Sequence, residues 1–305
     1  MDKNKTQTIT RPSPLTCPVQ ELSVSGSRYR LVATDIDGTL IDRGGLVSVE
    51  NLAAIEALRE CGVAFTLVTG RTDRQARIYV KQLQVRLPII ACNGAVIRDC
   101  ATDQVIASTP VGIKDVMVLH DYLSRQGHDY ICYTPDTVYY PAGSRRIELF
   151  VQYNRLQEQH GEQPITLLPL TDKVLADSAE DFVKMLAVLP DPEKMDALRR
   201  LLQEKTTCVG EQSGDVVVDI MKAGVSKGRA LQLLADRLHI AMDQVVALGD
   251  QENDISMLRV AGLGVAMGNA MPAVKAAADV VTLDHEQSGV AQAIRQHVLP
   301  QCANG

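Results

Sequence analysis

Five short segments of this 305-residue chain are apolar almost without interruption: residues 31–33 (LVA), 63–68 (VAFTLV), 88–92 (PIIAC), 245–248 (VVAL) and 264–267 (GVAM). Continuous apolar runs of this length mark strands buried on both faces, the condition of a parallel sheet with helices packed above and below. Helical patterns lie between them. Ser48 can cap a helix with Leu52, Ile55 and Leu58 on one face and Gly62 at its end, and a second helix is read over residues 74–83. Beyond GVSKG (residues 224–228) a third carries Ala230, Leu231, Leu234 and Leu238 on one face. A fourth is read over 273–278, before residues 280–282 close the sheet. Strand and helix in alternation give a doubly wound, Rossmann-like parallel-sheet α/β core, and such sheets bind ligands beyond the carboxyl ends of their strands.

The middle of the chain has another character. Shorter, more amphipathic strands are read at 128–134, 137–140 and 182–189, with helices at 113–125, 145–157 and 192–203. Six of the eight tyrosines fall between Tyr122 and Tyr153, read as packing residues of a small core in preference to groups that stack on a substrate. This shift assigns residues 101–209 to an inserted α+β cap domain, with 28–100 and 210–305 forming the core. Residues 215–221 (DVVVDIM) are read as the return of the parallel sheet. Residues 1–27 are rich in Thr, Ser and Pro, without helical or strand period, and are read as a disordered tail.

Composition removes several classes of function. A net charge of −6 without a Lys/Arg run gives no footprint for nucleic acid or for a membrane surface. No apolar stretch approaches the roughly 20 residues of a membrane span. Seven scattered cysteines without a C-x-x-C pair fit neither a disulfide framework nor a zinc site, and are expected in a reducing cytoplasm. A monomer or small homo-oligomer acting on a small metabolite is the remaining expectation.

Residues 31–42 (LVATDIDGTLID) show what the strand ends hold. Asp35 and Asp37 fall on one side of a strand, and like charges so placed repel unless something compensates. The other apolar runs, or the helices after them, meet polar groups at Thr69, Asn93, Lys227, Asp250 and Asp254. Taken singly each has an ordinary reading: Thr69 and Asn93-Gly94 as turns, Lys227 as a solvated helix start, the two aspartates as acids favoured by a helix dipole. Taken together they bring four carboxylates and a lysine to one sheet edge, which calls for a cation. Oxygen donors of this kind select a hard ion such as Mg²⁺. The Gly38 turn offers an anion nest, and Lys227 at a helix start adds a positive charge. The set describes phosphoryl transfer through an aspartyl-phosphate.

DIDGTL, VTGR, GVSKG and GDQENDISML, with NGA at Asn93 and GVAMGNA at Gly264, resemble the ordered motifs of haloacid dehalogenase-like phosphatases, in particular the Cof-type branch with a class IIB cap. The resemblance runs from Arg30 to Val298. It implies Asp35 as nucleophile and Asp37 as acid/base. Thr69 and Lys227 are implied as phosphate ligands, with Gly38 and Asn93 on the phosphate side. The implied Mg²⁺ site is formed by Asp35, the Asp37 carbonyl and Asp250, with Asp254 supporting its waters; Arg71 falls on the substrate side or behind the site. Many relatives carry Asp-Gly where this chain has Ser288-Gly289. The spacing agrees with the branch: residues 37–69 leave room for one helix and one strand, whereas more than a hundred residues separate Asn93 from Lys227. The activity implied is Mg²⁺-dependent hydrolysis of small phosphomonoesters, sugar phosphates or similar metabolites. A phosphomutase of the same fold, or a slow phospho-ligand-binding or regulatory protein, stands as the alternative.

Overall fold

A computed structural model describes residues 28–176, 181–214 and 216–302; the tail read at 1–27 lies outside the described residues. Five strands form a wholly parallel sheet in the order Val280–Val281, Leu263–Ala266, Val245–Gly249, Leu31–Thr34, Ala64–Leu67. Leu31, Val32 and Ala33 are entirely buried, as are Val245 and Ala247, because helices cover both faces. Helix Val49–Glu60 starts at Ser48, whose side chain accepts the Asn51 amide, and Gly62 follows its end at φ +69°. Helix Asp73–Gln82 starts in a reciprocal Thr72/Gln75 capping box.

Two readings of the sheet are corrected. Residues 88–92 do not continue the parallel ladder as a full strand. Ile89–Ala91 touches it through a single bridge, Val68 to Ile90, and otherwise belongs to an antiparallel three-stranded sheet with Val96–Asp99 and Gln104–Ser108. Residues 215–221 do not return to the core sheet. Val217–Lys222 pairs antiparallel with Lys184–Val188 on one side and Cys208–Gly214 on the other. These strands belong to a six-stranded sheet that continues through Asp129–Tyr133, Thr137–Tyr140 and Thr166–Pro169. The boundary at 209/210 therefore cuts through strand Cys208–Gly214, and the one at 100/101 through the Val96–Ser108 hairpin. The cause is burial on both faces. Val218 and Ile220 pack into the core of the inserted layer, while Val217 and Met221 face a second cluster with Ala91, Cys92 and Val96. No polar alternation survives to separate this strand from a parallel one.

The molecule is thus a Rossmann-like core with a smaller inserted cap. Helices Ile113–Arg125 and Pro192–Lys205 pack on one face of the cap sheet, through Val116, Leu119, Leu198 and Leu202. Its opposite face carries helix Arg146–Gln159 through Phe150. Tyr130, Tyr133 and Tyr139 are buried in the cap.

Candidate active site

Strand register brings the acidic residues together. Thr34 pairs with Leu248, so the residues that follow, Asp35 and Gly249-Asp250, leave adjacent strands side by side. The Asp35 amide still donates to the Leu248 carbonyl (3.0 Å), holding the carboxylate at the sheet edge. Asp254 stands one turn beyond Asp250, its Oδ2 accepting the Asp250 and Gln251 amides (2.9 Å each). One oxygen from each of Asp35, Asp250 and Asp254 falls within 4.8 Å of the others, and all three residues are buried.

Lys227 opens helix Lys227–Arg237, capped by Ser226, and is 1% exposed. Its Nζ donates to Asp35 Oδ1 (2.8 Å) and to Asp254 Oδ1 (2.6 Å). The helix start sits this close because Gly94, at φ +97°, has no side chain; a Cβ there would lie 2.3 Å from the Ser226 carbonyl oxygen. Burial alone would lower the Lys227 pKa, but Asp254 and Asp35 outweigh it and hold the ammonium above its ordinary range. Asp35 is pushed well above the usual carboxylate range by burial, against the pull of Lys227 and with Asp254 and Asp250 adding to the rise. Burial first and Asp254 second push Asp250 up to about 6. Asp35 Oδ2 has no protein donor among the described residues, and Asp35 lines a cavity of about 300 Å³.

With all three carboxylates ionised, one ammonium leaves an excess of two negative charges. A divalent cation cancels it, and the all-oxygen donor set suits Mg²⁺. Two side chains fix the Asp250 carboxylate: Thr39 Oγ1 donates to its Oδ1 (3.0 Å) and Gln251 Nε2 to its Oδ2 (3.0 Å). Gly38, at φ +71°, leaves the necessary space, since a Cβ would fall 2.4 Å from Asp250 Oδ2. Asn269 Nδ2 donates to the Gly38 carbonyl (2.8 Å) and fixes that turn.

The other expected residues are placed differently. Asp37 stands apart from the three-carboxylate cluster, its side chain 57% exposed on the cavity wall. Arg71 grips it bidentately, Nε to Oδ2 (2.8 Å) and Nη2 to Oδ1 (2.6 Å). The guanidinium lies between two rings, Tyr79 of the core (5.4 Å to the centroid) and Tyr153 of the cap helix (5.3 Å). Thr69 is fully buried, its Oγ1 accepting the Arg71 amide (3.1 Å). Asn93 lies behind the cavity wall: its Nδ2 donates to Asp219 (2.7 Å) and its Oδ1 accepts from Asn253 (3.0 Å). Both ends of the Asn93 amide are thereby committed to protein.

Sequence reasoning missed Asp219 and gave no role to Asn253, although it lies within GDQENDISML. Asp219 sits in a run read as core strand, and it holds Lys184 Nζ (3.1 Å), which also donates to the Gly70 carbonyl (2.8 Å). Thr39 and Asn269 stood inside quoted motifs, which signalled their importance without their role.

A family model described as haloacid dehalogenase-like hydrolase matches residues 32–294. The pyridoxal phosphate phosphatase YbhA of Escherichia coli strain K12 is 30% identical over 275 residues, covering 88% of this chain and 99% of its own. The 5-amino-6-(5-phospho-D-ribitylamino)uracil phosphatase YwtE of Bacillus subtilis strain 168 is 29% identical over 292 residues, covering 90% and 100%. Among solved structures, a haloacid dehalogenase-like hydrolase from B. subtilis superposes with a TM-score of 0.77 at 27% identity, covering 88% of this chain and 99% of that one.

Proposed function

The chain belongs to the haloacid dehalogenase-like hydrolase family, in its Cof-type branch, and on that premise we propose that it hydrolyses small phosphomonoesters in a Mg²⁺-dependent reaction through an aspartyl-phosphate on Asp35. The observation that carries this reading is the split environment of the Asp35 carboxylate. Oδ1 is anchored by Lys227 in the protein, while Oδ2 is left without a protein donor among the described residues, and Asp35 lines a cavity whose wall also bears Asp37.

In this reading Asp35 Oδ2 attacks phosphorus in line with the departing ester oxygen. Asp37 gives that oxygen a proton, then as carboxylate takes one from the water that hydrolyses the intermediate. Arg71, braced between Tyr79 and Tyr153, orients Asp37. Lys227 and the Thr69 hydroxyl serve the phosphoryl oxygens. Asp35 and Asp250 would hold Mg²⁺ with the Asp37 carbonyl, and Asp254 fixes Lys227 and the 250–251 backbone. When bound, the ion supplies charge neutralisation for the phosphoryl oxygens. We place the cap between links near residues 109–111 and 222–225, where the Val96–Ser108 hairpin and strand Val217–Lys222 end. The cap's Tyr133, Phe150, Tyr153 and Lys184 line the cavity and exclude water from the reaction.

The test is release of inorganic phosphate from p-nitrophenyl phosphate with Mg²⁺, with EDTA, and by Asp35→Asn. Phosphate release without a bisphosphate activator favours the hydrolase over a mutase. Activity that survives EDTA or Asp35→Asn would overturn the mechanism.

A further inference from the structure

Four cationic side chains line the cavity beside Asp35: Arg71, Arg146, Lys184 and Lys227. Three are committed to protein acids. Lys227 is held by Asp35 and Asp254, Lys184 by Asp219, and Arg71 by Asp37. Arg146 is not. No carboxylate or hydrogen-bond acceptor reaches its side chain among the described residues, and its Nε is buried without a partner. The position is nevertheless built. Asp129 Oδ2 accepts the backbone amides of Arg145 and Arg146 (3.0 Å each), and Asp129 Oδ1 accepts the Ser144 hydroxyl (2.6 Å). The next turns of the same helix supply an apolar and aromatic wall, Leu149, Phe150 and Tyr153.

A buried guanidinium N–H without an acceptor is unfavourable, and a planar fork of donors matches an oxyanion bidentately. The phosphoryl end of the cavity is already served by Lys227 and Asp35, so an acceptor for Arg146 comes from the leaving group. We propose that Arg146 is a specificity-determining residue, and that the substrates are phosphomonoesters whose leaving group bears a second oxyanion, carboxylate or phosphate, a few bonds from the phosphoryl group. The cavity of about 300 Å³ limits that group to a small molecule. The inference rests on the phosphatase reading and adds the substrate class to it.

Matched pairs test it: 3-phosphoglycerate against glycerol 3-phosphate for a carboxylate, and fructose 1,6-bisphosphate against fructose 6-phosphate for a second phosphate. A charge-assisted bond to Arg146 corresponds to a preference of about ten- to a hundredfold in kcat/KM for the anionic member of at least one pair. Arg146→Gln is expected to abolish that preference mainly through KM, and Arg146→Lys, a point charge in place of a fork, to restore part of it. The pair that responds identifies the oxyanion. Equal loss on both members of each pair, or a preference that persists in Arg146→Gln, overturns the proposal. Calorimetric binding of the same four compounds to Asp35→Asn and to Asp35→Asn/Arg146→Gln separates the two readings. If the wild-type protein turns over none of these esters nor p-nitrophenyl phosphate, the phosphatase reading fails. The subsite then stands or falls on whether the anionic members bind at least about tenfold more tightly and lose that margin without Arg146.

Discussion

Asp250→Asn is expected to stabilise the metal-free protein while removing its response to Mg²⁺. Asp250 is 2% exposed, and its pKa is raised from 3.8 to about 6 by burial and by Asp254. A raised carboxyl pKa means that the folded state keeps its proton where the unfolded chain has lost it. The contribution of Asp250 to stability is therefore greatest below about pH 4 and falls as pH rises through about 6, by about 3 kcal/mol in total. Asparagine removes that penalty. It also turns an amide nitrogen toward Gln251 Nε2 and Asn269 Nδ2, which donate to Oδ2 at 3.0 and 3.4 Å, and this forfeits about 1 kcal/mol. The net gain is about 2 kcal/mol, or about 3 °C in Tm for a chain of this size. Thermal unfolding in EDTA at pH 7.5 should place the variant above wild type, and at pH 5 the gap should narrow. Millimolar Mg²⁺ should raise the wild-type Tm and leave the variant unmoved. A variant that melts at or below wild type in EDTA at pH 7.5 would refute the reasoning, as would a gap indifferent to pH.

Other expectations follow from the same geometry. Asp35→Asn should lower kcat by about three orders of magnitude or more while circular dichroism stays unchanged, since the amide is nearly isosteric and not nucleophilic. Gly38→Ala places a methyl 2.4 Å from Asp250 Oδ2 at a φ of +71°. It should raise the Mg²⁺ concentration for half-maximal activity at least about tenfold, read by metal titration. Arg98, 2% exposed, pairs with buried Asp73 (3.1 Å) and with Asp136 of the cap (2.6 Å). Arg98→Ala should cost about 3–5 kcal/mol in denaturant unfolding, and Arg98→Met combined with Asp73→Asn should recover part of it.

Asp35, Asp250 and Lys227 were legible because each ends a buried apolar run or opens the helix after it, where a parallel sheet presents its residues to a ligand. The cap was legible as a change of composition, though its edges were not. Val217–Lys222 is buried on both sides by two different clusters, and the same apolar run would serve in a parallel sheet. The tyrosines were read as packing groups, and Tyr130 and Tyr139 are that; Tyr133 and Tyr153 also line the cavity. Asn93 shows the limit of motif reading: its place was visible, but the partners that occupy it, Asp219 and Asn253, lie 126 and 160 residues away. Local pattern carries no information about such pairs. That no acceptor reaches the Arg146 side chain among the described residues is a fact of the folded structure alone.

The central claim, covalent catalysis by Asp35, is tested most directly by trapping the intermediate. Asp37→Asn should form it from p-nitrophenyl phosphate, whose phenolate leaves without a general acid, and hydrolyse it slowly. Acid quenching followed by peptide mass mapping should find one phosphoryl group on the peptide containing Asp35, labile to hydroxylamine and absent from Asp35→Asn/Asp37→Asn. A phosphoryl group on any other peptide would contradict the account, as would turnover by Asp37→Asn with no phosphorylated protein at any quench time.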